Sequence, residues 1–240
     1  MSATAVLIDV HQGTPEWLEA KQDTLGGSEI ACAAGLSRYV TPEDLLKFKQ
    51  GLIPEPKELT NAMTLGVVFE PKISDELGKY WKVPLLTQQM YIHKYIPWLS
   101  ISPDRLMVFS PRQKMYVEIK YKVYSNMLYT LDHPEIEHLC QIQHQMFILQ
   151  LQSMWIVYGN EHLHLRIFEV YYNATFYSWL LKRLTEFRRC WKNPSRPTLS
   201  YGPEVYAWTS KKIKETFQMF DHGLIPYAAH IQSMTFRLKR

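Results

Sequence analysis

The sequence predicts a mixed α/β fold in which a central mixed sheet is flanked by helices. Residues 115–123, MYVEIKYKV, alternate apolar and charged side chains, as expected for a strand with one buried face. Residues 134–151 and 175–191 instead place apolar side chains at helical intervals. The apolar runs SMWIVYG and LHLRIFEVYY, which follow the first of these helices, predict two further strands.

Chain length and composition are those of an ordinary globular protein. The 240 residues are 46% hydrophobic and 21% charged, which is enough for one domain with a substantial core. We expect residues 1–192 to form that domain. Residues 193–240 are expected to be a C-terminal extension, packed on the core or forming subunit or partner contacts. The net charge of +4 suits a polyanionic partner but is mild.

The cysteines and the apolar runs indicate the cellular compartment in which the protein is expected. Cys32, Cys140 and Cys190 are far apart and include no C-x-x-C pair, which favours neither a disulfide framework nor a zinc site. No run of eighteen apolar residues occurs, and the first residues lack the pattern of a signal peptide. An intracellular, soluble protein without membrane association is expected.

The strand at 115–123 carries the strongest chemical signal. Its period of two places Glu118 and Lys120 on the same face. Asp104 lies in a second strand-like run, SISPDRLMVF, which would pair with the first as an antiparallel hairpin, so that two carboxylates converge. Such oxygen ligands suit Mg²⁺ or Mn²⁺, one or two ions per site. The alternative is that Glu118 and Lys120 only decorate a solvated face, which a lone E-x-K motif favours.

Two predicted helices supply further polar groups. Residues 64–80 have helical periodicity, and Pro71 predicts that this helix begins near Glu70, at its positively polarised end. In the helix at 134–151, Gln143 falls on the apolar face and needs hydrogen-bond partners. A metal-bound water or substrate phosphate would provide them, and so would a purely structural contact. Gln141 and Gln145 are predicted to be solvated.

The N-terminal run QGTPEWLEAKQDTLGGSEIACAAGLSRYVTPEDLLKFKQG contains a predicted anion site. Gly26 and Gly27 lead through Ser28 into an apolar helix, so free backbone amides would face an anion and Ser28 would be the N-cap. The alternative is a capped helix without a ligand.

The order Ser28, Glu70, Asp104, Glu118-x-Lys120, Gln143 resembles the lambda-exonuclease and YqaJ-type viral recombinase branch of the PD-(D/E)XK nuclease superfamily. The likeness extends over residues 12–170. It is carried by the N-terminal run above and by the segments GVVFEPKISDELGKYWKVPLL, ISPDRL and HLCQIQHQMFIL. The resemblance implies a restriction-endonuclease-like core.

The resemblance also implies roles for individual residues. The catalytic set comprises Glu70, Asp104, Glu118, Lys120 and Gln143, with Gln141 as the alternative glutamine, and the expected metal ligands are Asp104, Glu118, Ile119 and Glu70. Lys120 would assist the attacking water. The implied contacts to DNA and its 5′-terminal phosphate are Lys21, Ser28, Met63 and Arg105. Lys21 stands where the family usually has arginine, and Arg105 where it mostly has glycine.

By resemblance, the chain is expected to be a Mg²⁺-dependent exonuclease that digests linear double-stranded DNA from 5′ to 3′ and leaves 3′ single strands for recombination. The implied partners are DNA ends, a single-strand annealing protein and further copies of the chain in a trimeric ring. Two alternatives stay open. The same site would serve an endonuclease, and a decayed site would leave a DNA-binding module.

Overall fold

The computed structural model describes residues 4–10, 14–54, 61–123, 125–193, 195 and 198–226. The helices are α1 (Pro15–Gln22), a 3₁₀ turn at Gly27–Glu29, α2 (Ile30–Ala33), α3 (Pro42–Lys49), α4 (Asn61–Trp81), α5 (Ser125–Thr130), α6 (Ile136–Leu149), α7 (Ala174–Lys192), a second 3₁₀ turn at Val205–Ala207 and α8 (Ser210–Thr216). The strands are β1 (Ala5–Ile8), β2 (Leu85–Thr87), β3 (Met90–His93), β4 (Ser100–Ile101), β5 (Arg105–Val108), β6 (Lys114–Tyr121), β7 (Ser153–Gly159), β8 (Leu165–Tyr171) and β9 (Met219–Ile225).

The central sheet has six strands in the order β2-β5-β6-β7-β8-β9. Strands β6 and β7 run parallel, with Glu118 opposite Ile156, and the other neighbours are antiparallel. The parallel pair needs a crossover, which α5 and α6 provide. The mixed sheet and its flanking helices confirm the predicted fold class. The β5–β6 hairpin also pairs as predicted, with Arg105 opposite Val117.

The two faces of the sheet bury different side chains. On one face, Ile73 and Leu77 of α4 pack in an apolar cluster with Val117 and Ile119 of β6. On the other face lies a larger apolar core to which α2, α6 and α7 contribute. Because Val117 and Ile119 face α4, Glu118 and Lys120 face α6, and the period-two prediction for this strand is confirmed.

Helix α4 begins nine residues earlier than predicted from Pro71, which lies inside it. Glu70 is therefore in the middle of a helix and not at its positive end. A proline here removes one backbone hydrogen bond and leaves the carbonyl of Val67 without that partner. Both Pro71 and Val67 are exposed, so water can solvate this position. Packing of the helix, including Phe69 stacked 4.7 Å from Tyr121, offsets the loss.

Residues 198–226, which follow the expected boundary at 192, are built into the core. Strand β9 extends the central sheet beside β8. Tyr201 is buried and donates a hydrogen bond of 2.6 Å to the carbonyl of Ala33. Gly35 has φ of +76°, and a Cβ there would lie 2.5 Å from the carbonyl oxygen of Gly202, so the two segments meet backbone to backbone. Residues 227–240 of the expected extension lie outside the described part of the chain.

Two smaller features complete the fold. A second sheet has the order β1-β3-β4, with Ala5 opposite His93. The three cysteines are buried and form no disulfide. Within the described residues, no helix has the length and apolarity that crossing a membrane requires.

Candidate active site

A central cleft of about 880 Å³ opens over the α6-facing side of β6. Its floor comes from the sheet, one wall from α4 and the other from the N-terminal segment, and α6 closes its back. The residues used below that line it are Trp17, Lys21, Ser28, Met63, Gly66, Val67, Glu70, Asp104, Glu118, Ile119, Lys120, Gln141 and Gln145.

Glu118 lies at the floor of this cleft with only 2% of its surface exposed. Its Oε1 accepts hydrogen bonds from Nζ of Lys120 at 2.8 Å and from Nε2 of Gln141 at 2.5 Å. Its Oε2 accepts one from Nε2 of Gln145 at 2.8 Å. Lys120 also donates to Oε1 of Gln141 at 2.9 Å. Carboxylate, ammonium and two amides therefore form one hydrogen-bonded group, so Glu118 and Lys120 do more than decorate a solvated face.

Asp104 reaches the same floor from the residue just before β5. Its Oδ2 accepts a hydrogen bond of 2.7 Å from the backbone N–H of Ile119. Burial, together with repulsion by Glu118 and Glu70, raises the pKa of Asp104 well above its usual value, although Lys120 acts in the opposite direction. Asp104 thus lies close enough to both Glu118 and Glu70 to be repelled by each.

Lys120 remains a cation in this setting. Burial alone would lower the pKa of its ammonium, but attraction to Glu118, Asp104 and Glu70 raises the pKa above its usual value. A charged lysine donates hydrogen bonds and offers positive charge.

Arg105 lies under the cleft and does not line it. Its NH1 forms an ion pair of 3.0 Å with Oε1 of Glu70, and its Nε donates to Oγ of Ser74 at 3.1 Å. NH1 also donates to the carbonyl of Asp104 at 2.7 Å. Its guanidinium is occupied by these three partners and its side chain is only 13% exposed, so the described residues lend no support to the contact with DNA, which stays a prediction.

The structure corrects the placement of Gln143 and puts the alternative glutamine, Gln141, in the cleft. Gln143 is fully buried and lies on the far side of α6, where Nε2 donates to the carbonyl of Tyr171 and Oε1 accepts from the N–H of Asn173, both at 2.8 Å. Gln141 and Gln145 are buried in the cleft instead of solvated. Their spacing of four puts them on one helix face, and that spacing is the signal in the sequence that would have found both.

The N-terminal wall holds the residues expected at a 5′ phosphate. Lys21 lines the cleft with its Nζ 4.5 Å from the ring centre of Trp17, and Ser28 is exposed there. Ser28 is not the predicted N-cap. It lies inside the 3₁₀ turn, whose N-cap is Gly26, and the N–H of Gly26 donates to Oε2 of Glu29 at 2.9 Å. Met63, from α4, lies across the same cleft and is partly buried.

The donor set fits a hard divalent cation. Among the described residues no three His, Cys, Asp or Glu side chains gather as a metal-binding group, and Glu70 is held by Arg105. Two carboxylates suffice for Mg²⁺, however, because this ion keeps several waters. Gln145 carries a buried Oε1 to which no described group donates a hydrogen bond. A metal-bound water would satisfy it, and a cation would relieve the repulsion between Asp104 and Glu118.

A family model, the YqaJ-like viral recombinase domain, matches residues 16–152, more than half of the chain. The chain belongs to this family. The resemblance found in the sequence is thereby confirmed, and the matched part of the YqaJ-like domain contains every one of the cleft residues named above. No curated protein matches the chain.

Solved structures share the fold of this YqaJ-like domain. An alkaline exonuclease, LHK-Exo from Laribacter hongkongensis, is 16% identical, with a TM-score of 0.64 over 75% of this chain and 94% of that one. LHK-Exo in complex with dAMP gives a TM-score of 0.63, with the same identity and coverage. A phage related exonuclease from Haemophilus somnus 129PT is 9% identical, with a TM-score of 0.55 over 72% and 95% of the two chains. At these identities the likeness establishes the fold.

Proposed function

We propose that this YqaJ-like protein is a metal-dependent exonuclease that digests linear double-stranded DNA from 5′ to 3′ and leaves 3′ single-stranded tails for recombination. The observation that carries the proposal is the meeting of Asp104, Glu118 and Lys120 at the floor of one cleft. Exonucleases with the same fold, one of them in complex with dAMP, support the choice of a nucleic-acid substrate.

Each of the chain's own groups has a separate role in phosphodiester hydrolysis. Asp104, Glu118 and the backbone oxygen of Ile119 would hold Mg²⁺ or Mn²⁺, one or two ions, with Glu70 nearby. When bound, the ion polarises the phosphoryl oxygen and lowers the pKa of its water. Lys120, kept charged by its acidic neighbours, stabilises negative charge that builds on the phosphate. Gln141 and Gln145 fix the Glu118 carboxylate so that it needs no rearrangement on binding.

The remaining parts of the proposal concern the DNA end and the assembly. Lys21 and Ser28 bind the 5′-terminal phosphate, and Met63 packs against the duplex end from the opposite wall. A trimeric ring of this chain around DNA would make digestion processive, because a closed assembly cannot leave its track sideways. A single-strand annealing protein would receive the 3′ tails.

The test is a time course on duplex DNA with and without Mg²⁺. Linear duplex labelled at the 5′ end should release labelled mononucleotides early, whereas a 3′ label should be released late. Covalently closed circles should stay intact. Cutting of circles would show an endonuclease instead, and binding without cleavage in Mg²⁺ or Mn²⁺ would leave a DNA-binding module.

Asp104→Asn supplies the matched control, since it keeps the shape of the side chain and removes its charge. It should abolish Mg²⁺-dependent cleavage while DNA binding in a chelator is retained or tightened. Removing the charge also ends the repulsion from Glu118 and Glu70, so the variant should melt no lower than the wild type. Full activity in Asp104→Asn would exclude Asp104 from the metal site.

A further inference from the structure

Helix α4 forms one wall of the central cleft, and one residue on that wall is a glycine, which has no side chain. Met63, Gly66, Val67 and Glu70 all line the cleft, and their spacing of three, four and seven residues places them on one face of the helix. Gly66 therefore lies on the cleft surface, between two apolar side chains and one turn before Glu70.

A glycine inside a helix is costly unless something requires it. It destabilises a helix by about 1 kcal/mol relative to alanine. The backbone does not require it here, because Gly66 is not among the glycines with positive φ. Packing does not require it either, because no described atom outside the helix backbone lies within 4 Å of the place where a Cβ would stand.

A second glycine in α4 shows the contrast. A Cβ at Gly78 would lie 3.2 Å from the carbonyl oxygen of Val83 and 3.3 Å from Cδ1 of Leu85, so close packing accounts for that glycine. Gly66 has no such neighbour in the described protein. Among the described residues nothing requires its bare backbone, which leaves room there for a group of a bound ligand.

We propose that a deoxyribose of the bound DNA strand packs directly against the backbone of α4 at Gly66. This inference rests on the proposed function and adds a substrate contact to it. The strand that reaches Asp104 and Glu118 must pass the α4 wall, because both carboxylates lie at the floor of the same cleft. Without a Cβ the sugar approaches the helix more closely than any side chain would allow.

The sugar, not the phosphate, matches this surface. Met63 and Val67 flank Gly66 with apolar side chains, and Val67 is 75% exposed in the absence of a ligand. The cationic Lys21 lies in the N-terminal wall, so the phosphates turn toward that side and the sugars toward α4.

Gly66→Ala and Gly66→Leu test the contact, with Val68→Ala as the matched control. Val68 is on the same helix and half exposed but does not line the cleft, and its change to alanine also raises helix propensity. Melting temperature and kcat/KM on linear duplex are measured for each protein. Gly66→Ala should melt about 2–4 °C higher than the wild type. Its kcat/KM should nevertheless fall about tenfold, and that of Gly66→Leu on the order of a hundredfold.

The control separates this contact from a general effect of a stiffer helix. Val68→Ala should melt higher and keep the wild-type kcat/KM. If Gly66→Ala and Gly66→Leu keep the wild-type kcat/KM, the inference about Gly66 is overturned but the proposed function is not. A lower melting temperature in Gly66→Ala has the same consequence, because it would reveal a packing role inside the protein. A wild-type protein that neither binds nor cuts linear duplex overturns the proposed function as well.

Discussion

Glu118 on β6 and Gln141 on α6 are joined by a hydrogen bond of 2.5 Å between Oε1 and Nε2. The bond ties a strand of the central sheet to the crossover helix that follows it. Gln145, one turn further along α6, holds the other carboxylate oxygen at 2.8 Å. The orientation of the acid therefore depends on α6 as much as on the strand that carries it.

The two glutamines at 141 and 143 should respond differently to substitution. Gln141→Ala removes a group that holds Glu118 and Lys120, so cleavage should slow by about 10- to 100-fold with little change in stability. Gln143→Ala leaves the carbonyl of Tyr171 and the N–H of Asn173 without a partner, and should lower the free energy of unfolding by about 1–3 kcal/mol. Denaturant unfolding and the rate of cleavage are measured for both. A slow but fully stable Gln143→Ala would reverse the assignment.

The sequence predicts the hairpin and the helix of the site, but not which face of that helix lines the cleft. Strand periodicity alone places Glu118 and Lys120 on one face and pairs them with the segment of Asp104. For α6, the sequence predicts that only the apolar face is buried. Both faces are in fact buried, and the face toward β6 is polar because it must satisfy Glu118 and Lys120. A contact between distant segments decides this, and no local pattern reports it.

The start of α4 and the role of Arg105 were unpredictable for the same reason. The propensity of Pro71 for a first turn is overridden by the packing of Phe69 on Tyr121. The partner of Arg105, Glu70, is far away in sequence and meets it only when α4 packs beside the sheet.

Lys120→Met tests the charge at the floor of the cleft. It keeps most of the aliphatic stem and removes the ammonium, so cleavage should fall on the order of 100- to 1,000-fold while DNA is still bound. Because its acidic neighbours raise the pKa of Lys120 above the usual 10.5, the wild type should show no alkaline loss of activity from this residue below that pH. A pH–rate profile checks this. A rise in kcat centred between pH 7 and 9 that disappears in Lys120→Met would mean that the lysine acts as a neutral base.

Lys21→Ala tests the proposed contact to the 5′ phosphate. Wild-type protein should digest a 5′-phosphorylated end faster than a 5′-hydroxyl end, and the variant should lose that preference. DNA binding should also depend less on salt. The slope of log K against log salt should fall in magnitude by about 0.9, the value for one lost phosphate contact.

Arg105→Gln is the control for that experiment. Arg105 does not line the cleft, and its side chain is paired with Glu70 and Ser74. Its salt slope should equal that of the wild type, while its melting temperature falls. A smaller salt slope in Arg105→Gln would instead indicate that the guanidinium leaves Glu70 to contact DNA.

His144 should make the protein sensitive to acid. Its Nε2 donates to the carbonyl of Ser100 at 3.2 Å, its Nδ1 accepts from the hydroxyl of Tyr177 at 2.9 Å, and burial lowers its pKa from 6.5 to about 3. Between these two values the unfolded chain binds a proton that the folded chain does not. The stability from this residue is thus complete above pH 6.5 and is lost as pH falls toward 3.

The expected slope is about 1.4 kcal/mol of unfolding free energy for each pH unit in that range. Denaturant unfolding between pH 7 and pH 4 measures it. His144→Phe cannot take up the proton and should show a shallower slope, although it is less stable at pH 7 because the Ser100 carbonyl loses its donor. Equal slopes for the two proteins would assign the acid sensitivity to other groups.

Gly159→Ala should weaken the packing of α4 against the sheet. A Cβ at Gly159, at the end of β7, would lie 2.5 Å from Cδ1 and Cγ1 of Ile73, which is fully buried and has no room to move. Overpacking of this kind costs about 1–3 kcal/mol. Since α4 carries Glu70 one turn before Ile73, a displaced helix should also slow cleavage.

A double-mutant cycle tests whether this collision is the cause. Ile73→Ala alone leaves a cavity and should cost about 2–5 kcal/mol. In the double variant the new methyl group enters the space that Ile73 vacates. The double variant should therefore lose less unfolding free energy than the sum of the two single losses, by at least about 0.5 kcal/mol. Denaturant unfolding of the four proteins gives this coupling free energy. Strictly additive losses would mean that Gly159→Ala acts on β7 itself and that the contact with Ile73 does not set the position of α4.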